Sequence, residues 1–161
     1  MLENGEVVMS EVLETTVDKF TFRVPTDRLY CRDGLWVFWI QPQTGNRVRV
    51  GLSDYLQQVS GDVAFMTVKP VGTRLRVGDD LAEMETIKVT ITLASPVSGA
   101  IVAVNDTLEL NPELVNQSPY EKGWLAEIDA TDWEAGRAAL LDAMAYFPIM
   151  KAQAEEEAKK S

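Results

Sequence analysis

Short segments in which apolar and polar residues alternate follow one another along most of the chain. Residues 20–24 (FTFRV) and 47–50 (RVRV) alternate with the two-residue period of a half-buried strand. Residues 35–40 (LWVFWI) form a continuous apolar run, which predicts a fully buried strand. From residue 61 to residue 128, further short alternating segments are separated by Gly, Pro and Asn turns. This spacing favours a small all-β barrel or sandwich over alternating strands and helices.

Helices are predicted at two places. Ser53 is a suitable N-cap for a short internal helix that ends near Val59. Near the C-terminus, residues 131–134 (TDWE) match a capping box, in which the Thr hydroxyl and the Glu carboxylate bond to backbone N–H groups. The Ala- and Leu-rich helix that follows is expected to reach about Met144 and to be interrupted at Pro148. A second, solvated helical stretch with i,i+4 Glu–Lys pairs then completes the chain.

Two short sequences each occur twice, in the same order. Residues 59–61 (VSG) recur at 97–99, and residues 81–84 (LAEM) recur at 125–128 as LAEI. An alternating segment follows the glycine in each copy. Two similar β-units related by a pseudo-twofold axis account for this repetition, because two short sheets can together complete a core that neither could bury alone.

Composition narrows the possible chemistry. The 161 residues include no histidine and one cysteine, which excludes Ser-His-Asp and Cys-His catalytic groups, HExxH zinc sites, CxxC motifs and internal disulfide bonds. The formal net charge of −10 argues against a nucleic acid or an anionic membrane surface as a partner. The acidic N-terminal sequence lacks the apolar region of a signal peptide, and no apolar run approaches the roughly 18 residues that span a bilayer. We therefore expect a cytoplasmic protein that binds neither nucleic acid nor membranes.

One lysine lies between the two predicted units. Alternation continues through residues 81–93, which by pattern alone form one long strand with Lys88 and Thr92 on its outer face. On this interpretation Lys88 is an ordinary solvent-facing lysine. Periodicity and composition do not distinguish it further.

Three motifs around this lysine are those of a known family. They are the tetrapeptide 85–88 (ETIK), the turn 95–99 (SPVSG) and the segment 114–120 (LVNQSPY), in this order. Together they strongly resemble the H-protein of the glycine cleavage system, and the similarity extends over roughly residues 30–147. The pseudo-twofold of two β-units is also what lipoyl domains show.

The resemblance implies a fold and a division of the chain. The expected fold is all-β, a lipoyl-type barrel-sandwich hybrid of two pseudo-symmetric β-units with a short internal helix and C-terminal α-helices. The β domain would occupy residues 20–130. Residues 1–19 would form a loosely attached N-terminal extension, and residues 131–161 a helical segment.

The resemblance also implies a covalent modification. In the family, the lysine that matches Lys88 sits at a tight hairpin tip and carries lipoate in amide linkage. A lipoate ligase or lipoyl transferase would recognise this turn with the help of Glu85, Thr86 and Ile87. Because lipoate itself performs thiol–disulfide and group-carrying chemistry, the chain would be a non-catalytic carrier within a multienzyme system.

The chain departs from the family at two positions near the arm. H-proteins have Ser or Asp followed by His-Glu-Trp near the N-terminus, whereas residues 33–36 are DGLW, so Leu35 replaces the Glu. In the family, that Glu and an Asp four residues after the modified lysine lie near the methylamine on the arm, and Thr92 stands at the second position. Leu35 and Thr92 are therefore expected to line the arm cleft. A protonated aminomethyl group would lack an anionic partner there.

Our first hypothesis is consequently a carrier for another cargo. It is a lipoate-binding protein that shuttles a sulfur-bound intermediate in sulfur oxidation, with a heterodisulfide-reductase-like complex as partner. The alternative is a glycine cleavage H-protein that carries the aminomethyl group, with glycine decarboxylase, aminomethyltransferase and dihydrolipoyl dehydrogenase as partners. A third hypothesis is an unmodified scaffold that serves only as an interaction module.

Overall fold

The computed structural model describes residues 11–160. Its strands are β1 (Val12–Val17), β2 (Phe20–Pro25), β3 (Leu29–Tyr30), β4 (Leu35–Trp39), β5 (Arg47–Leu52), β6 (Val63–Val68), β7 (Arg74–Leu75), β8 (Asp80–Thr86), β9 (Thr90–Ala94), β10 (Gly99–Val104) and β11 (Ala126–Ala130). Its helices are α1 (Asp54–Ser60), α2 (Leu114–Gln117), α3 (Trp133–Ala138) and α4 (Ala143–Lys160), with a 3₁₀ turn at Asp106–Glu109.

The described strands form three antiparallel sheets. A six-stranded sheet has the order β3-β4-β5-β11-β10-β7, a three-stranded sheet has the order β6-β8-β9, and β1 pairs with β2. This mainly β architecture, with a short internal helix and C-terminal helices, confirms the predicted fold class. The predicted N-cap of α1 is also confirmed, because the hydroxyl of Ser53 accepts a hydrogen bond from the backbone N–H of Leu56.

The two sequence repeats have the same local structure. In each, the strand after the repeated glycine pairs with the strand of the LAE sequence, β6 with β8 and β10 with β11. Both pairs carry a register shift three residues after the glycine, between Val63 and Phe65 and between Ile101 and Ala103. Both glycines, Gly61 and Gly99, have positive φ. The sequence repetition is therefore a repetition of structure.

Strand β4 has buried residues on both faces. Leu35 and Val37 belong to the main core between the two larger sheets, whereas Trp36 points the opposite way into a second core. Successive side chains of a strand point to opposite faces, so two cores require an unbroken apolar run. This arrangement explains the sequence LWVFW.

The second core holds the N- and C-terminal elements on the β domain. Its buried residues come from β2, β3, β4 and α4: Phe22, Val24, Tyr30, Trp36, Ala143, Tyr146, Met150 and Ala154. The predicted loosely attached extension over residues 1–19 is therefore wrong for residues 12–17, which form β1 and pair with all of β2. Residues 1–10 lie outside the described residues.

The C-terminal region also differs from the prediction. Pro148 lies inside α4, which continues to Lys160 as a single helix. A proline inside a helix costs about 3 kcal/mol. Burial of Tyr146, Met150 and Ala154 in the second core, where Tyr146 stacks on Tyr30 of β3, offsets that cost. The final stretch is thus packed on the domain along one face rather than solvated on all sides.

The capping box at residues 131–134 is not formed. Asp132, with φ of 49°, is the residue that precedes α3, and no side chain makes a cap hydrogen bond there. Helix α3 ends at Ala138, earlier than expected. In the last turns of α4, the ion pairs join Glu156 to Lys159 and Glu157 to Lys160, with i,i+3 spacing instead of i,i+4.

We expect the second core to make the stability of the protein sensitive to alkaline pH. The rings of Tyr30 and Tyr146 stack with centroids 4.7 Å apart, and burial raises the pKa of Tyr146 to about 12. Above pH ~10 the unfolded chain loses this proton while the folded protein keeps it, so the free energy of unfolding falls between pH ~10 and ~12. We expect a loss of about 1.4 kcal/mol per pH unit from this one group.

Urea unfolding at several pH values between 9 and ~11.5 tests this expectation. The Tyr146→Phe variant should lose stability with a shallower slope than the wild type, because it has no proton to release at this position. Equal slopes in the two proteins would show that Tyr146 does not contribute to the alkaline transition.

Candidate functional site

Lys88 lies at the tip of a hairpin. Strand β8 ends at Thr86 and β9 begins at Thr90, so residues 87–89 form the turn between two antiparallel strands. The single long strand predicted over residues 81–93 is therefore wrong. Ile87 is 81% exposed and Lys88 is exposed. The lysine is thus presented on a protruding turn.

The buried side chain of Thr86 organises this turn. Its Oγ1 accepts hydrogen bonds from the backbone N–H groups of Lys88 and Val89, at 3.2 and 3.1 Å. The same hydroxyl lies 3.2 Å from the carbonyl oxygen of Val89, to which it can donate. The backbone N–H of Thr86 donates to that carbonyl at 2.8 Å. One threonine therefore bonds to the N–H groups of Lys88 and Val89 and to the carbonyl group of Val89.

We expect Thr86→Val to loosen the lysine turn. The change keeps the shape of the side chain and removes its hydroxyl, which should lower the free energy of unfolding by about 1–2 kcal/mol. Hydrogen exchange of the Lys88 and Val89 amides should accelerate as well. The matched control is Thr90→Val, at an exposed position on β9. If both variants behave alike, the hydroxyl of Thr86 does not hold the turn.

The side chain of Lys88 runs back towards helix α1. A Cβ atom placed on Gly61, which ends α1, would lie 3.3 Å from Cε of Lys88 and 3.9 Å from its Nζ. Gly61 has φ of 88°, a conformation that glycine adopts without steric cost. The glycine of the first repeat therefore ends the helix and leaves room for the lysine side chain.

Beside this glycine the structure contains a cavity of about 200 Å³, which we call the Lys88 cavity. Its walls come from the β1–β2 hairpin, from α1, from the last turns of α4 and from Lys88 itself. The lining residues are Val17, Asp18, Phe20, Phe22, Gln58, Val59, Lys88, Ala154, Glu157 and Ala158. The lining is mainly apolar, with two carboxylates, Asp18 and Glu157, among the polar groups.

The segment 114–120 fixes α1 next to this cavity. The side-chain amide of Asn116 donates to the carbonyl oxygen of Gly61 at 3.0 Å, and its Oδ1 accepts from the N–H of Val63 at 2.9 Å. The hydroxyl of Tyr120 accepts from the N–H of Asp54 at 2.9 Å. The motif thus ties down both ends of the helix. The motif was recognised in the sequence, but the hydrogen bonds by which Asn116 and Tyr120 position α1 were not predicted.

The predicted recognition residues surround the lysine as expected of a turn. Glu85 is exposed, pairs with Thr90 and lies just before the turn. Ile87 is exposed and Thr86 is buried beneath it. Glu85 and Ile87 are therefore available to another protein, whereas Thr86 acts through the shape of the turn.

The two residues predicted to line the arm cleft do not line the Lys88 cavity. Leu35 is 1% exposed and packs in the main core, so its side chain reaches no surface. Thr92 is exposed on β9 opposite Glu83, on the outer face of the three-stranded sheet. The side chain of Lys88 points towards α1, and neither Leu35 nor Thr92 lies on that side of the hairpin.

Two features are absent from residues 11–160. In this range, no group of three or more His, Cys, Asp or Glu side chains could hold a metal ion. None of the helices described there combines the length and the apolarity needed to cross a membrane.

Comparison with known proteins gives one consistent result. The family described as Glycine cleavage H-protein matches residues 29–153. The Glycine cleavage system H protein of Cronobacter sakazakii is 41% identical over 128 residues, which are 80% of this chain and 96% of the relative. That of Mycolicibacterium vanbaalenii is 40% identical over 126 residues, 76% of this chain and 93% of the relative. The crystal structure of a glycine cleavage system H protein from Mycobacterium marinum superposes with a TM-score of 0.68 at 31% identity, covering 78% of this chain and 97% of that one.

The matched range leaves out two parts of the Lys88 cavity. It begins after β2 and ends before the last seven residues of α4. The β1–β2 hairpin supplies Val17, Asp18, Phe20 and Phe22, and the end of α4 supplies Ala154, Glu157 and Ala158. Most of the cavity wall is therefore built by residues outside the range shared with the family.

Proposed function

This chain belongs to the glycine cleavage H-protein family, and we propose that it is a lipoate carrier whose arm is attached to Nζ of Lys88. The observation that carries the proposal is the exposed Lys88 at the tip of a hairpin fixed by the buried Thr86. We propose that the protein itself is not catalytic. It presents the arm to successive enzymes at high effective concentration.

The residues around Lys88 fit a lipoyl group. Such a group supplies thiol–disulfide and group-carrying chemistry. The turn leaves the lysine open to a lipoate ligase or lipoyl transferase, and the exposed Glu85 and Ile87 flank it for recognition. The adjacent cavity is mainly apolar, which suits a hydrocarbon chain and a neutral sulfur ring.

We propose that the cargo is the aminomethyl group of glycine cleavage. The relatives named above favour this alternative over our sulfur-oxidation hypothesis, which they do not support. That hypothesis assumed that no carboxylate lies near the arm. Asp18 and Glu157 both line the Lys88 cavity, and either can pair with a protonated amine. The proposed partners are then glycine decarboxylase, aminomethyltransferase and dihydrolipoyl dehydrogenase, and the proposed location is the cytoplasm.

Sulfur oxidation remains a second candidate because of two residues. Leu35 and Thr92 stand where the resemblance expects carboxylates. A carrier of a neutral sulfur adduct for a heterodisulfide-reductase-like complex would not need them.

Exchange of labelled CO₂ into glycine by glycine decarboxylase tests the proposed cargo. With the lipoylated protein we expect exchange that depends on the amount of carrier added. Absence of exchange with a carrier shown by mass to be lipoylated would overturn the glycine cleavage proposal. Leu35→Glu is unsuitable as a test because the new carboxylate would be buried in the main core.

The double variant Asp18→Asn, Glu157→Gln tests the two carboxylates. We expect water to hydrolyse the aminomethyl group of the loaded carrier, giving the free thiol, formaldehyde and ammonium, about two- to fivefold faster, which is the scale of a partly exposed ion pair. The matched control is Asp106→Asn with Glu109→Gln, two exposed acids at the 3₁₀ turn that do not line this cavity. Equal release rates in both double variants would contradict a role for Asp18 and Glu157.

A further inference from the structure

A second cavity lies on the six-stranded sheet, on the face that points away from the main core. Its volume is about 440 Å³, and we call it the aromatic cavity. This volume falls in the range of about 300–1,000 Å³ that is typical of sites for small molecules. It shares no lining residue with the Lys88 cavity. The lining residues are Asp27, Arg28, Trp36, Phe38, Arg49, Tyr120, Glu121, Lys122 and Trp124.

Three aromatic rings surround one guanidinium group of this cavity. The Cζ atom of Arg28 lies 4.7 to 5.4 Å from the ring centroids of Trp36, Phe38 and Tyr120. Its Nε donates to Oδ1 of Asp27 at 2.7 Å, and its Nη1 donates to the carbonyl oxygen of Tyr120 at 3.0 Å. The side chain of Arg28 is only 10% exposed. Arg28 is therefore fixed in place, and its charge is already paired.

The second guanidinium group of the cavity is only partly neutralised. Arg49 lies over the ring of Trp124, with its Cζ 4.4 Å from the centroid, and its side chain is 38% exposed. Its Nε and Nη2 donate to Oε2 of Glu127, at 2.9 and 2.6 Å. The same carboxylate pairs with Arg47 through Oε1. One carboxylate thus faces two guanidinium groups, and one positive charge remains on the three side chains.

Lys122 adds another cation to the lining. It is exposed, and none of the ion pairs found within residues 11–160 includes it. The carboxylates of the lining are Asp27, which pairs with Arg28, and the exposed Glu121. The lining therefore has three cations and two carboxylates, in a chain whose net charge is −10.

These contacts decide which charge a ligand should carry. Aromatic rings attract cations, but Arg28 already lies over three of the rings and Arg49 over the fourth. The groups left for a ligand are the cations Arg49 and Lys122 and the uncovered apolar atoms of the rings. Salt screens charges beyond about 8 Å, so the acidic groups elsewhere in the chain do not cancel these two charges.

From these observations we propose that the aromatic cavity binds a small organic anion. The carboxylate of the ligand pairs with Arg49 and Lys122, and its flat apolar part lies against Phe38 and Trp124. The proposal does not depend on the attachment of an arm to Lys88. Because the two cavities share no residue, the anion and a modified Lys88 can be present on one molecule.

Two probes that differ in charge and share one ring system test the proposal. Indole-3-acetate and indole-3-acetamide are titrated into the ¹⁵N-labelled full chain, and the indole N–H signals of its four tryptophans are followed. We expect indole-3-acetate to shift the signals of Trp36 and Trp124, which line the cavity, more than those of Trp39 and Trp133. The amide should bind roughly tenfold more weakly, because it cannot form the charge-assisted hydrogen bonds.

A pair of lysine variants locates the charge that the probe recognises. Lys122→Gln should weaken the binding of indole-3-acetate about two- to fivefold and leave that of the amide unchanged. The matched control is Lys151→Gln, an exposed lysine of α4 that does not line the cavity. This control should bind both probes as the wild type does. Both lysines are exposed, so neither change is expected to unfold the protein.

Each outcome decides the proposal. Binding at Trp36 and Trp124 that is weaker for the amide, is weakened by Lys122→Gln and is kept by Lys151→Gln supports it. No shift at millimolar indole-3-acetate, shifts of equal size at all four tryptophans, equal binding of the two probes, or equal binding by the two variants overturns it. None of these results bears on the proposed carrier function, which the mass of the Lys88 peptide tests separately.

Discussion

Replacement of Lys88 by Arg is expected to abolish carrier activity while the fold is kept. A guanidinium group is not a substrate for amide formation with lipoate, so no arm can be attached at the hairpin tip. Lys88 is exposed, and Arg keeps its charge. Exchange of CO₂ into glycine should fall to the level seen without carrier, and the free energy of unfolding should stay within about 0.5 kcal/mol of the wild type.

Lys69→Arg provides the control for this substitution. Lys69 is an exposed lysine that follows β6 and does not line the Lys88 cavity. The control should retain full exchange activity. Activity that survives Lys88→Arg, or that is lost equally in both variants, would contradict the assignment of the arm to Lys88.

Among the single substitutions proposed here, Gly99→Ala is expected to lower the free energy of unfolding most. A Cβ at Gly99 would overlap the backbone oxygen of Asp129 and lie 2.8 Å from Cγ2 of Ile128. These atoms belong to β11, which pairs with β10 in the middle of the six-stranded sheet. Because the contact is with backbone, relief requires the two strands to separate. We expect the free energy of unfolding to drop by about 3 kcal/mol or more, measured by urea unfolding.

Gly45→Ala separates this overlap from the effect of the backbone angle. Gly45 has φ of 159°, close to the 152° of Gly99, and a Cβ there would have no atom within 4 Å. Its replacement should therefore carry only the strain of the backbone angle, about 1–3 kcal/mol, and cost less than Gly99→Ala. Similar losses in the two variants would show that the backbone angle, and not the contact with β11, makes Gly99 necessary.

Much of the β fold follows from sequence periodicity. The alternating segments at residues 20–24 and 47–50 and the apolar run from residue 35 all correspond to strands. The repeated tripeptide and tetrapeptide predicted the two β-units. These signals are reliable because they report which side chains are buried, and burial on one or both faces decides the pattern of a strand.

Periodicity failed where one side chain or a distant partner decides the structure. The alternation through residues 81–93 does not show a turn, because the turn depends on hydrogen bonds of Thr86 to the backbone. Strand β1 and the intact α4 depend on each other across more than a hundred residues, through the second core. The sequence of β1 does not indicate that α4 will pack near it, and the sequence of α4 does not indicate β1.

The site was predicted in part. The motif ETIK identified Lys88, and the structure places that lysine at a hairpin tip. The cavity beside it combines the two ends of the described chain with α1, an arrangement that no local pattern encodes. Leu35 was assigned to the cleft by its place in a motif, but its position in β4 directs it into the main core. The motif therefore singled out the lysine of the hairpin tip but did not indicate which residues surround its side chain.

The central claim is tested most directly by the mass of the protein after co-expression with a lipoate ligase. We expect the intact mass to increase by one lipoyl group, the modified peptide to contain Lys88, and the increase to be absent from Lys88→Arg and present in Lys69→Arg. A wild-type protein without added mass, or a lipoyl group that persists in Lys88→Arg, would contradict the account.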